Sequence, residues 1–564
     1  MSAPDASRGG AWPVVAVAVA AAAIVVAEGV FAGAPVGHGT VDAIGTWWFQ
    51  WWVADAVTTD ASLLSTDRLF FPFGKDVLAH TGANLLDALL VAPLRAALGP
   101  VVAWNTLVAA IVATNALAAG LVARRGGAWM GAVGAALGAF HPVVLHELGQ
   151  GRPTQAILAP LIGALVLGDA GLRRGGAGRL VAAGALLGLQ GWFYWFSGLF
   201  GALAIGVLGT IALVHAARTG GAPRAVLGRL LVLLGVAAAL AAPVAGPLAL
   251  AATRGEAPGL LDVARWWTDG VVVTREGDPV RLTVLGGLGE AGLLGRAGFA
   301  PDGPVLGLVV LGLALAAPAR WRLVAVLALV VALGPTVAGV PNPVYISLAM
   351  ICPPLARLWW PVRALALLVP VAVVGLSALG RRPWAASPRR AGFFATILVA
   401  GLALDAVGRG LLPLGTWRPE VPDGVAVLTE APVGAAVVLP WGYDQVPLLY
   451  QAETGTPLLN GMYERTAAFV PAALRALQRD NTFLAALILG PIDPRADAPY
   501  TDTDQAAFVA LGYRWVVLRR AALGAADGPR ARGAVRRLRQ MLGSPRVDDA
   551  EVVVWDLTAP RAGE

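Results

Sequence analysis

The chain has 564 residues, of which 57% are hydrophobic and only 14% charged, with a mean hydropathy of +0.69. A soluble globular chain is about a quarter charged, so a soluble fold is excluded. The net charge of +7 does not indicate nucleic acid, because the positive charge lies in short loops between apolar blocks, where membrane orientation accounts for it.

Lys75 is the only lysine, and arginine carries the rest of the basic charge. Cys352 is the only cysteine, so an intrachain disulfide and a cysteine-based metal site are both excluded.

Met1 to Gly10 is polar, and an apolar block from Ala11 to Phe31 follows. It exceeds the roughly 7–15 residues of a signal-peptide core and is read as a retained first span. Eleven apolar blocks follow one another at about 11–32, 101–123, 128–147, 154–171, 179–195, 196–217, 226–252, 303–319, 321–339, 361–380 and 391–411. A helix crosses a bilayer in about 20 such residues.

Five loops are marked by arginine: Arg124 and Arg125; Arg173, Arg174 and Arg179; Arg218, Arg224 and Arg229; Arg320 and Arg322; and Arg381, Arg382, Arg389 and Arg390. They alternate with the blocks, which places them and the N-terminus in the cytoplasm and the other loops outside. The block Asn84–Leu98 is only about fifteen residues long and would invert every later loop if it spanned. It is placed at the outer interface, as is Trp47–Val57 with its four tryptophans, since indole prefers the headgroup region.

The first outer loop therefore covers about 33–100, and later outer loops fall at 146–153, 253–302 and 340–360. Beyond Leu412 the apolar runs shorten and charge rises. Val433–Leu439, Trp515–Leu518 and Val552–Leu557 read as strands, and Thr466–Leu477, Asp504–Leu511 and Pro529–Leu542 as helices. The expected fold is a polytopic α-helical membrane protein with about eleven spans and interfacial helices over residues 1–411. A small extracytoplasmic α/β domain over 412–564 completes it, expected to fold by itself.

No phosphate-cradling loop, zinc-spacing cluster or nucleophile elbow is present in the sequence. The candidate residues are polar groups gathered on the outer side. Asp42, about ten residues after the first span, can take a proton from a hydroxyl or hold a divalent cation; it equally fits a solvated loop acid. His146 and Glu147 end the third span, with Arg152 just beyond. They form either part of a site or an ordinary helix-end cluster. His80 and Asp87 fit contacts between interfacial helices. Arg275, Arg281, Arg357 and Arg363 can hold a lipid-linked phosphate through paired hydrogen bonds, or headgroups at the interface. Glu28 and Asp405 lie near the outer ends of their spans, and Trp192 to Trp195 reads as an aromatic belt.

This layout resembles the GT-C superfamily of integral-membrane glycosyltransferases, which includes the protein O-mannosyltransferases and aminoarabinose transferases. The stretches that carry the likeness are Asp42–Trp52 (DAIGTWWFQWW), Phe71–Gly74 (FPFG), Trp104–Thr106 (WNT), Pro353–Arg363 (PPLARLWWPVR) and Leu448–Tyr463 (LLYQAETGTPLLNGMY). Characterised families often have an Asp-Glu pair in the first outer loop. Here Ala43 follows Asp42, and Glu147 is the candidate second acid.

The resemblance implies a polyprenyl-phosphate-linked sugar donor entering from the membrane and an acceptor hydroxyl from outside. It implies Asp42 as base, arginines on the leaving phosphate, and single-displacement transfer with inversion in a bacterial inner membrane. Two other readings stay open. One is a flippase for a lipid-linked glycan, to which the prolines Pro243 and Pro247 in the seventh span are relevant. The other is a non-catalytic envelope protein.

Overall fold

A computed structural model describes residues 11–77, 85–253, 308–334, 336–337, 340–352, 355, 361–408, 410–442, 445–462, 470–489 and 499–559. His80, Arg275, Arg281 and Arg357 lie outside them. The chain divides into two compact units. One comprises Met1–His38 with Gly82–Trp417, the other Gly39–Thr81 with Arg418–Glu564.

The first unit is helical. A backbone in hydrocarbon has to satisfy its own N–H and C=O groups, and a helix does so within one segment. Eight helical segments are long and apolar enough to cross a membrane: Trp12–Ala32, Pro100–Gly126, Ala128–Gly149, Pro153–Arg174, Trp195–Arg218, Pro223–Pro247, Pro361–Leu379 and Pro388–Gly408. The other three apolar blocks form shorter helices among the described residues, Ala177–Phe193, Leu308–Ala316 and Ala319–Ala332. Asn84–Leu98 becomes the helix Leu85–Leu98, 14 residues long, which is short of a span.

Helices approach closely where glycine removes the side chain. A Cβ on Gly138 would lie 2.4 Å from the Asn115 carbonyl oxygen, and one on Gly375 would lie 1.9 Å from that of Leu313. Buried amides repair the breaks in the helices. Between Pro153–Ala156 and Ala159–Arg174 the ladder stops. There the Asn115 side chain accepts from the Leu158 and Ala159 N–H groups and donates to the Ala156 carbonyl. Gln190 accepts from Leu161 N–H and donates to the Ile157 carbonyl.

At the arginine-rich ends, the Asp169 carboxylate receives Arg173 at 2.9 Å, Arg320 at 3.0 Å and the Trp321 indole N–H at 3.2 Å. This carboxylate fastens Ala159–Arg174 to Ala319–Ala332. Asn105 and Trp104 of the WNT stretch hold the chain just past the first helix. The Asn105 amide bonds Val36 N–H and the Ala34 carbonyl, and the Trp104 indole donates to the Val36 carbonyl. Val36 also bridges to Thr416, so the two segments that lead to the second unit run side by side.

The second unit is built on a four-stranded sheet in the order Ala435–Leu439, Tyr513–Arg519, Val552–Asp556, Val547–Asp548. The first pair is parallel and the others antiparallel. All five residues of Ala435–Leu439 are buried, consistent with a strand covered on both faces.

This unit takes in more than the segment after 412. Residues 39–81 of the first outer loop belong to it, and Phe70 is a core residue, 1% exposed, beside Leu459 and Tyr513. The segment around Leu458 lies between two others. Leu458 N–H donates to the Arg68 carbonyl, Phe71 N–H to the Leu458 carbonyl, and Ala436 N–H to the Pro457 carbonyl.

The helix Val41–Thr59 carries the tryptophans. Trp48 and Trp52 are buried and stack at 5.8 Å, and the Trp48 indole donates to Gln451 at 2.7 Å. The sequence reading put these indoles among lipid headgroups; Trp47, Trp48 and Trp52 are instead buried in protein, where Gln451 takes the Trp48 indole N–H and Trp48 and Trp52 cover each other's faces.

Candidate functional site

In the first unit, Pro142 breaks the third apolar block. The residue before a proline is pushed out of the helical region. His141 accordingly takes φ −60° and ψ 133°, and its Nδ1 accepts from Val143 N–H at 3.1 Å. The helix restarts as Pro142–Gly149, every residue of which is buried. This displaced turn carries His146 and Glu147 inside the protein.

Glu147, 1% exposed, lies between two guanidinium groups. Arg152 Nε is 3.1 Å from Oε2, and Arg363 Nε donates to Oε1 at 3.3 Å. Arg363 also donates through Nη1 to the Tyr194 hydroxyl at 3.0 Å, with its guanidinium 5.7 Å from the Tyr194 ring centre. Arg152 reaches Glu147 because the chain turns tightly after the helix, with Arg152 N–H donating to the Glu147 carbonyl at 2.8 Å. Buried charges are paired because leaving one unpaired in a low-dielectric interior costs several kcal/mol, on the order of 3–5 when one partner is removed. The cluster holds two cations and one anion, with His146 on the same turn. Its excess positive charge suits a second anion, and the planar forks of arginine suit phosphate.

Of the residues singled out in the sequence, the structure joins Glu147, Arg152 and Arg363, and puts His146 beside them. Tyr194 is the member that sequence reasoning missed. It was read as part of an aromatic belt, and only its place at the break between Ala177–Phe193 and Trp195–Arg218 marks it as different. Asp42 belongs to the other unit. It sits half-buried in the first turn of Val41–Thr59, whose N-cap Thr40 accepts from Ala43 N–H at 3.2 Å. Asp87 is fully buried on Leu85–Leu98, and burial pushes its carboxyl up to about 8.

The surroundings of Glu147 do not fit a divalent cation, since its oxygens face two guanidinium groups. Among the described residues no group of three or more His, Cys, Asp or Glu could hold a metal ion.

A helical unit of membrane-crossing length joined to a small mixed sheet unit defines an integral membrane protein. Its fold is similar to those of solved GT-C membrane glycosyltransferases. ArnT from Cupriavidus metallidurans bound to undecaprenyl phosphate aligns over 98% of this chain and 98% of its own, with 13% identity and a TM-score of 0.50. The arabinofuranosyltransferase AftD from Mycobacteria aligns over 98% of this chain at 17% identity and a TM-score of 0.50; the match spans 42% of AftD's own length. No protein-family model and no curated protein sequence matches the chain.

Proposed function

We propose that the protein is a membrane glycosyltransferase that moves a sugar from a polyprenyl-phosphate-linked donor to an extracytoplasmic acceptor. The observation that carries this reading is the buried Arg152–Glu147–Arg363–Tyr194 cluster in a chain of GT-C fold. ArnT, of the same fold, was solved with undecaprenyl phosphate, which supports a lipid phosphate as ligand. Arg152 and Arg363 hold the phosphate and neutralise it as it leaves, and Asp42 accepts the proton of the attacking hydroxyl. Arg275, Arg281 and Arg357 are further candidates for the phosphate. The membrane is the bacterial inner membrane, with the N-terminus in the cytoplasm and residues 412–564 outside.

A non-catalytic role is the second reading, favoured by one observation: Glu147 already engages both arginines. Transfer assayed in proteoliposomes with a labelled polyprenyl-phosphate sugar separates the two. Asp42→Asn should lower turnover roughly 10²–10⁴-fold with folding intact. The matched control is Asp60→Asn, since Asp60 is exposed and ends the same helix in the left-handed region, which asparagine tolerates. Asp55 is unsuitable as a control because it pairs with Arg68 at 3.0 Å. Unchanged turnover in Asp42→Asn would remove Asp42 as base, and no transfer from any donor tested would favour the non-catalytic role.

A further inference from the structure

The helix Pro529–Leu542 of the second unit buries Ala531, Ala534, Val535, Leu538 and Met541. At 3.6 residues per turn these fill an arc of about 120°. The rest of the circumference carries Arg530, Arg532, Arg536, Arg537 and Arg539, and the helix contains no acid.

That outer face runs against the helix's own electrostatics. Arg530 and Arg532 occupy the positive end of the helix dipole, and the first turn carries no acid. Arg532 and Arg536 are four residues apart, a spacing at which like charges repel. Some of these arginines have partners within the unit. Arg539 pairs with Asp548, which also pairs with Arg520, and Arg532 donates to the Asp527 carbonyl. An external anionic surface would relieve both penalties.

The chain tethers the second unit, which carries this helix, to the span-length helices. Gly39, where the second unit begins, follows the end of the first span-length helix at Ala32 by seven residues, and Arg418 follows Gly408 by ten. Fully extended, these links reach about 25 and 35 Å. Since the apolar face of the helix is already buried in its own unit, only the arginine face is available to the membrane, and it would lie against headgroups without inserting.

We propose that the arginine face of Pro529–Leu542 binds the anionic phospholipid headgroups of the bilayer in which the protein is embedded. The test uses the full chain in nanodiscs, with Cys352→Ala and a fluorophore on Gln540→Cys, which is exposed on the same helix. Quenching by a headgroup nitroxide lipid is compared between phosphatidylcholine discs and discs containing phosphatidylglycerol. Phosphatidylglycerol should raise quenching, and high salt should reverse it.

Replacing Arg530, Arg532 and Arg536 with glutamine should abolish the response, each loss weakening binding about 5-fold, whereas lysine at all three should retain it. Equal quenching in both discs, or an unchanged response in the glutamine variant, would overturn the proposal. So would a response to soluble polyphosphate but not to phosphatidylglycerol, which would assign the face to a soluble polyanion.

Discussion

At Glu147 the change of one atom has a large electrostatic consequence. In Glu147→Gln the buried Arg152 and Arg363 lose the carboxylate between them and face each other as like charges. Truncating one member of a buried charge set costs about 3–5 kcal/mol, so a thermal melt in detergent should show a clear loss of stability. If the cluster is a phosphate site, an added polyprenyl phosphate should restore more stability to this variant than to the unaltered protein, because the new anion takes the vacated place. A melt that does not move would show that the arginines are held by something else.

In the second unit, Asp556 is a comparable case outside the membrane. Burial raises its carboxyl, but the hydrogen bonds from Arg514 and Thr558 outweigh it and hold the group below the usual carboxylate range. A depressed folded value means that this pair stabilises above the unfolded value, about 3.9, and that the contribution is lost as pH falls through the lower folded value. Acid unfolding followed by tryptophan fluorescence should therefore shift to higher pH in Arg514→Ala, which also releases the Glu430 and Pro432 carbonyls.

At the scale of elements, the loop 39–81 and the segment 447–462 are one construction. Gln451 accepts from Trp48 and donates to the carbonyls of Arg68 and Thr456. Asn460 stands in for a backbone neighbour, accepting from Val438 N–H and donating to its carbonyl. Residues 413–564 alone would thus expose the Leu458 and Leu459 segment and lose Phe70 from the core. That fragment should show poor chemical-shift dispersion, while 39–81 linked to 418–564 should fold; a well-dispersed spectrum from the fragment alone would refute this. The resemblance stretches FPFG and LLYQAETGTPLLNGMY were legible in the sequence as local patterns. Their convergence was not, because hydrogen bonds between residues nearly 400 positions apart leave no trace in spacing.

For the whole molecule, the arginine loops set the expected topology. A reporter fused after Arg382 should report cytoplasm, and one after Leu412 the outside; swapped sides would mean that Leu85–Leu98 crosses the bilayer. The membrane class followed from the sequence itself, because hydropathy and block length act locally and one residue at a time. So did the strands Ala435–Leu439, Tyr513–Arg519 and Val552–Asp556 and the helices Asp502–Ala510 and Pro529–Leu542, whose patterning reports which face is buried; the helices Pro447–Thr454 and Thr482–Leu489 did not. The tertiary structure decided which outer-loop residues share a unit, and it moved the tryptophans from lipid to protein. It also brought the Glu147–Arg152 turn, Tyr194 and Arg363 together from three separate segments. Pairing of buried charges depends on distance in space, and the sequence fixes that distance only through the packing of the whole helical unit.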